Sequence, residues 1–249
     1  MSEVMLSVII PVFNERNNIE ILLSKVDAVP IKKEIIVVDD GSCDGTPEYI
    51  SQVSKRKFPD LRLFCHDRNQ GKGAAIRTGL SKVKGDIIII QDADLEYDPK
   101  EYIKLIQPIK DGKTEVVYGS RYLNIHFYDF IKKWLRKKII KDGAEVSYLH
   151  HFLGIKILNL LTNLLYNASI TDEATCYKVF KTSVLQGITL KCTGFEFCPE
   201  ITAKIRKKGY HILEIPISYH PRTKEEGKKL KWTHGFNAIW TLIKYRFTN

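Results

Sequence analysis

Two aspartates one residue apart, Asp92 and Asp94, stand just beyond the run Ile87-Ile88-Ile89-Ile90. Carboxylates at i and i+2 at a strand end point to similar sides, so the pair can hold one divalent cation. Hard oxygen ligands of this kind suit Mg²⁺ or Mn²⁺ carrying substrate phosphates. Taken alone, an Asp-x-Asp turn is as readily a solvated acidic loop. Its company narrows the choice. Asp39-Asp40-Gly41-Ser42 follows the apolar run Ile35-Ile36-Val37-Val38, and Pro11-Val12-Phe13-Asn14-Glu15 closes the first β-rich run. Three acidic strand ends side by side would repel one another unless they shared a cation or hydrogen-bonded a ligand.

The elements that must position these groups alternate along the chain. Residues 6–12, 34–38, 62–65, 86–90 and 116–118 read as short strands, with helices between them at 18–29 and 73–83. The runs at 35–38 and 87–90 are apolar on both faces, which suits central strands covered by helices. Thr46-Pro47 predicts an N-cap followed by proline at the first helical position. Asp98-Pro99 repeats the pattern, with Glu101 three residues after the cap. Such alternation predicts an α/β fold with a doubly wound, mostly parallel sheet, whose ligands gather at the carboxyl ends of the strands. The acidic clusters fall at those ends. In the second half, helices are expected at 127–141, 149–167 and 200–208, and a strand at 211–216. The first of these sets Lys132, Lys133, Arg136, Lys137, Lys138 and Lys141 against an apolar side. The tail 228–247 gathers Leu230, Phe236, Ile239, Trp240 and Ile243 on one face, with Lys229, Lys231, Lys244 and Arg246 around it.

Composition excludes several classes. At 249 residues, 44% hydrophobic and 27% charged, the chain suits one large domain, not a disordered or collagen-like one. Five cysteines without a C-x-x-C pair read as reduced thiols and argue against a structural zinc site. No signal peptide and no membrane-spanning helix are expected. The net charge of +10 favours anionic partners. Nucleic acid is not expected among them, because no helix-turn-helix, RNP-like or zinc-finger pattern occurs. A basic amphipathic helix can instead lie at an anionic lipid interface, or rest on the α/β body with its charged face in water. Lys72, within Asn69-Gln70-Gly71-Lys72-Gly73, can likewise meet a phosphate or only solvent.

The ordered series Pro11 to Glu15, Val37 to Ser42, Asn69 to Gly73 and Asp92-Ala93-Asp94-Leu95-Glu96 resembles the signature motifs of family 2 glycosyltransferases. It continues through Tyr118 to Tyr122, Thr171-Asp172, Thr175-Cys176-Tyr177-Lys178, Glu214 to Tyr219, and Arg222 to Lys228. Within that family the series is similar to the dolichyl- or polyprenyl-phosphate mannose and glucose synthases, and it covers nearly the whole chain. The resemblance implies a GT-A fold and a nucleotide pocket formed by Pro11, Phe13, Glu15, Val37 and Asp39. It implies that Asp92, the backbone of Ala93, Asp94 and Glu96 surround Mg²⁺ or Mn²⁺ and the donor diphosphate. Glu96 replaces a glutamine or serine of many relatives and adds negative charge. Arg121, Arg222 and Lys228 match the basic positions around the phosphates, so Asp94, Arg121, Arg222 and Lys228 are the expected catalytic groups.

The implied reaction moves glucose or mannose from a UDP- or GDP-sugar to a polyprenyl phosphate with inversion, and the segment at 175–178 looks closer to the glucose-type relatives. The implied setting is the cytoplasmic face of a membrane, as a peripheral protein resembling the family members that consist of the catalytic domain alone. A catalytic domain over 1–227, carrying a basic insertion at about 124–147, would be followed by a C-terminal basic helix at 228–249. The chemistry of the residues agrees. Negative charge grows on the departing nucleoside diphosphate, and a cation with Arg and Lys stabilises it. An acceptor phosphate, with a second pKa of about 6, is already anionic and needs no strong base. Two other readings stay open: transfer to a carbohydrate or protein hydroxyl with Glu196 or Glu200 as base, and a non-catalytic nucleotide-sugar or membrane-binding module.

Overall fold

The structure is a computed structural model that describes residues 4–123, 146–222 and 233–248. The expected helix at 127–141, nearly all of the expected insertion, Lys228 and Leu230 lie outside the described residues. Among the described residues seven strands form one sheet: β1 (Leu6–Val12), β2 (Lys33–Asp39), β3 (Leu61–Cys65), β4 (Ile87–Ile90), β5 (Val116–Ser120), β6 (Lys178–Lys181) and β7 (Ile212–Pro216). Their order is β3-β2-β1-β4-β6-β5-β7. All neighbours pair in parallel except at β6, which runs antiparallel to both β4 and β5. The expected mostly parallel α/β sheet is therefore present, with one reversed strand that the sequence pattern did not mark.

Helices α1 (Ile19–Asp27), α2 (Thr46–Lys57), α3 (Lys72–Leu80) and α4 (Tyr102–Lys110) alternate with the first five strands. Helices α5 (Val146–Tyr166), α6 (Thr182–Gln186), α7 (Phe197–Lys207) and α8 (Thr233–Phe247) follow. The isoleucines of β4 and residues Ile35 to Val38 of β2 are buried on both faces, as their unbroken apolar runs require. Each such side chain contributes roughly 1.5–3 kcal/mol on full burial, and this central slab fixes the strand ends that carry the polar residues.

Local corrections concern three elements. Helix α2 is capped by Gly45, at φ +81°, instead of by Thr46. Thr46 is buried, donates to Asp44 Oδ1 at 2.5 Å, and accepts the amide of Glu15 at 3.2 Å. Asp98 does cap, accepting the amide of Lys100 at 3.1 Å, but a 3₁₀ turn at Pro99–Glu101 precedes α4. Glu101 turns away from that cap to accept from the amide and hydroxyl of Ser218. In the tail, Ala238, Leu242 and Tyr245 form the buried face of α8, in one apolar cluster with Leu158 and Tyr166 of α5 and Ala203 of α7. Phe236, Trp240 and Ile243, expected on one face, lie exposed on the opposite side.

Candidate active site

The polar ends of β1, β2 and β4 meet because these strands are neighbours. Register places Val12 beside Asp39, and β4 flanks β1 on its other side. The turns are then latched to one another. Asn14, in the left-handed region at φ +51°, donates its amide to Ser42 Oγ at 2.8 Å, and its Oδ1 accepts the Cys43 amide at 3.0 Å.

Asp39 is buried; one carboxylate oxygen accepts the Ser42 amide at 2.9 Å. The other oxygen, Oδ1, has no hydrogen-bond partner among the described residues. A buried, unpaired carboxylate oxygen is costly and suits an N–H donor from a ligand. Asp40 serves the scaffold. It accepts the amides of Gln70 at 2.9 Å and Gly71 at 2.7 Å, and meets His66 Nδ1 at 2.7 Å, drawing the glycine-rich loop against β2. Pro11 and Phe13 stand at the end of β1. The Val37 side chain lies wholly in the hydrophobic core, so only its backbone could border a ligand.

Beyond β4, Gln91 is fully buried and its Oε1 accepts from Tyr102 at 2.6 Å and Tyr177 at 2.8 Å. This anchor fixes the turn that follows. Asp92 and Asp94 are half-buried, and Ala93 between them is buried. Burial, then the charges of Asp92 and Glu96, push the Asp94 pKa up to about 7. Lys72, at the start of α3, places its ammonium 2.5 Å from Asp92 Oδ1. Two crowded carboxylates, one of which has already drawn in a cation, fit a divalent metal. Among the described residues no cluster of three or more His, Cys, Asp or Glu side chains could hold one unaided. A cation held by these two carboxylates would therefore need substrate phosphates and water to complete its shell.

Glu96 is committed elsewhere. Its Oε2 accepts from the Tyr219 hydroxyl at 2.7 Å and its Oε1 accepts the Arg222 amide at 2.8 Å. In this arrangement it therefore bears on Asp92 and Asp94 through its charge, with both of its oxygens already engaged. The Arg222 side chain donates to the Asp94 carbonyl at 2.6 Å and to both carboxylate oxygens of Glu15 at 3.1 and 3.2 Å. Glu15, Asp94, Glu96 and Arg222 thus form one cluster.

Arg121 has a structural commitment of its own. It is buried, and its Nε and Nη2 donate to the two oxygens of Asp172, each at 2.7 Å. Asp172 in turn receives its amide restraint from Glu214, which accepts it at 3.1 Å. The guanidinium stacks 4.9 Å from the Tyr219 ring centroid, so it braces the wall that carries Glu96 and Arg222. Lys228 lies outside the described residues. The two candidate bases are also occupied. Glu196 accepts the amides of Thr193 at 3.0 Å and Gly194 at 2.9 Å. Buried Glu200 accepts those of Lys191 at 2.8 Å and Cys192 at 2.6 Å and pairs with Lys204. Burial alone would raise both carboxyls, yet these donors hold them below the ordinary range.

By sequence alone Lys72 can meet either a phosphate or solvent, and Asp172 has no assigned role. Both lay within quoted motifs, but only the strand order brings Lys72 to Asp92 and Asp172 to Arg121.

The sequence profile of glycosyl transferase family 2 matches residues 7–189. A dolichol-phosphate mannosyltransferase of Pyrococcus furiosus is 31% identical over 225 residues, covering 89% of this chain and 58% of that protein. A dolichyl-phosphate beta-glucosyltransferase of Saccharomyces cerevisiae is 30% identical over 241 residues, covering 88% of this chain and 67% of that protein. The chain therefore spans a little over half the length of the first relative. Among solved structures, glucosyl-3-phosphoglycerate synthase from Mycobacterium tuberculosis, in complex with Mn²⁺, UDP and phosphoglyceric acid, gives a TM-score of 0.71 at 16% identity. That likeness covers 98% of this chain and 79% of the other. The fold is GT-A. With a profile match extending over well more than half of its residues, the chain belongs to glycosyl transferase family 2.

Proposed function

We propose that the protein is an inverting, metal-dependent hexosyltransferase that moves glucose or mannose from a UDP- or GDP-sugar to a polyprenyl phosphate. One observation carries the reading: the unpaired Asp39 Oδ1, the Asp92 and Asp94 carboxylates and the Glu15–Arg222 pair occupy adjacent strand ends. A nucleotide sugar needs that combination, with an acceptor for base N–H groups, a cation site for the diphosphate and a guanidinium nearby. The similarity to dolichol-phosphate transferases supports the acceptor class.

In this reading Asp39 accepts from the base, and Asp92 and Asp94 hold Mg²⁺ or Mn²⁺. Bound there, the metal would neutralise charge on the leaving diphosphate. An acceptor phosphate oxygen attacks the anomeric carbon as the bond from that carbon to the diphosphate oxygen breaks, and the configuration inverts. Arg222 stabilises the departing charge, and Lys228 is proposed to join it. Arg121 acts as a brace through Asp172. No base is needed, because the phosphate is ionised near neutral pH. The depressed pKa values of Glu196 and Glu200 weigh against the hydroxyl-acceptor reading, since weakly basic carboxylates make poor general bases.

The reading places the protein at a membrane surface, at the cytoplasmic face where the sequence expectation put it. Among the described residues no helix is long and apolar enough to cross a membrane. Ile157, Leu160 and Leu164 on α5, and Trp240, Ile243 and Phe247 on α8, are instead exposed. Lys244 and Arg246 are exposed on α8. Exposed apolar stripes flanked by cations suit an anionic lipid interface. The test incubates the full chain with radiolabelled UDP-glucose or GDP-mannose, Mn²⁺ and a short polyprenyl phosphate. Label in the organic phase with one donor supports the reading; no transfer with either donor ends it.

A further inference from the structure

Lys72 occupies the place where the metal reading needs an open carboxylate. Its ammonium lies 2.5 Å from Asp92 Oδ1, and the two side chains are only 19% and 18% exposed. Its position is built in, because the loop that carries it is held from two sides. Asp40 takes the amides of Gln70 and Gly71, and the Ala74 amide donates to the Thr193 carbonyl at 3.1 Å. A Cβ on Gly71, whose φ is +98°, would come 2.3 Å from the Thr193 carbonyl oxygen; one on Gly73 would come 2.9 Å from that of Gly194. Only glycines let the backbone approach this closely. The lysine is thus presented to Asp92 by a fixed loop on the side of the site nearest α3.

An ammonium and a divalent cation cannot both sit in contact with the same carboxylate oxygen, since like charges repel strongly in a half-buried pocket. We infer that Lys72 is the resident counter-ion of Asp92, and that a divalent cation takes this carboxylate by displacing the lysine. The inference rests on the reading of Asp92 as a metal ligand. It has a consequence for binding order. Metal alone must strip Asp92 of its ammonium and leave Lys72 without that partner. Metal arriving with a nucleoside diphosphate brings phosphate oxygens that can receive the released ammonium. Metal and diphosphate then favour each other's binding, and the coupling is reciprocal.

The test titrates Mn²⁺ calorimetrically into the full chain, with and without UDP or GDP, in the parent and in Lys72→Met. The parent is expected to bind Mn²⁺ at least about tenfold more tightly when its nucleotide is present. Lys72→Met should bind Mn²⁺ alone about tenfold more tightly than the parent, with most of the coupling gone. Removing a nearby positive charge could tighten metal binding without any displacement, so a second readout follows the lysine itself. Competitive acetylation of the parent by acetic anhydride, read at Lys72 by mass spectrometry, should rise several-fold when saturating Mg²⁺ is added. Unchanged labelling of Lys72, or a variant that binds Mn²⁺ no better than the parent, overturns the exchange. If neither protein binds Mn²⁺ even with nucleotide, the metal reading of Asp92 falls as well. Nucleotide-dependent metal binding with unchanged labelling removes the exchange alone.

Discussion

Arg222 grips Glu15 across 207 residues of chain, with Nη1 and Nη2 at 3.2 and 3.1 Å from its two carboxylate oxygens. The same guanidinium donates through Nε to the Asp94 carbonyl. One side chain therefore ties the end of β1 to the turn after β4. In the proposed reaction a guanidinium fixed in this way beside the departing diphosphate would need little reorganisation, which is where preorganised electrostatics gain most.

Arg222→Ala should lower kcat/KM by about 10²- to 10³-fold, the usual loss for one preorganised charge-stabilising group. It should also lower the melting temperature, because Glu15 is buried and loses an ion-pair partner. Adding Glu15→Gln should recover part of the melting temperature and none of the turnover. Recovery of both together, in steady-state kinetics and thermal denaturation, would make the pair purely structural.

A second expectation concerns pH. Asp94 is raised to about 7 by burial and by its acidic neighbours. Glu173, fully buried, is raised to about 7 chiefly by burial. A carboxyl whose folded pKa exceeds its unfolded value stabilises the protein below the unfolded value. That contribution is lost as pH rises through the folded one. The metal-free melting temperature should therefore fall between pH 4 and 7, and Asp94→Asn with Glu173→Gln should flatten the slope. A metal held by Asp94, as proposed, needs the ionised carboxylate, so Mn²⁺ affinity should rise over the same interval, by at most about tenfold per pH unit. A pH-independent Mn²⁺ affinity, measured by titration calorimetry, would contradict the assignment.

The sequence made the central slab legible because runs such as Ile87 to Ile90 admit few readings, and the strand ends carried their carboxylates into view. Strand β6 escaped because its four residues, Lys178 to Lys181, begin and end in lysine. Lys178 is nonetheless fully buried, its ammonium 2.8 Å from the Glu173 carbonyl and 3.8 Å from the Tyr118 ring centroid. The cap of α2 moved from Thr46 to Gly45 because Thr46 was drawn inward by Asp44 and Glu15. The commitments of Arg121 to Asp172 and of Glu96 to Tyr219 were hidden for another reason. Each joins segments far apart in sequence, which no local pattern encodes. The tail pattern predicts a single apolar stripe, whereas packing on α5 and α7 buries Ala238, Leu242 and Tyr245.

Glu196→Gln and Glu200→Gln test the acceptor class. Both carboxylates support backbone amides near residue 193, so the variants should lose stability, by about 1–3 kcal/mol for Glu200, where amides are left without their acceptor. Residual folded enzyme should keep turnover within a few fold. A loss of 10²-fold or more at unchanged melting temperature, seen in kcat, would indicate a general base and a hydroxyl acceptor.

The exposed stripe of α5 predicts lipid contact. Leu160→Glu with Leu164→Glu should cut cosedimentation with anionic phospholipid vesicles by about tenfold or more, since each buried leucine contributes roughly 1.5–3 kcal/mol. Parent binding should weaken as salt screens the basic residues. Equal sedimentation of variant and parent would show that this surface does not meet lipid.

Whether Asp94 holds a cation for the nucleotide is decided by binding of UDP and GDP in titration calorimetry, with Mn²⁺ and with chelator, in the parent and in Asp94→Asn. The parent is expected to bind one of these nucleotides at least about tenfold more tightly with Mn²⁺, and Asp94→Asn to abolish the gain. Equal affinity in chelator and in Mn²⁺, retained in Asp94→Asn, would contradict it.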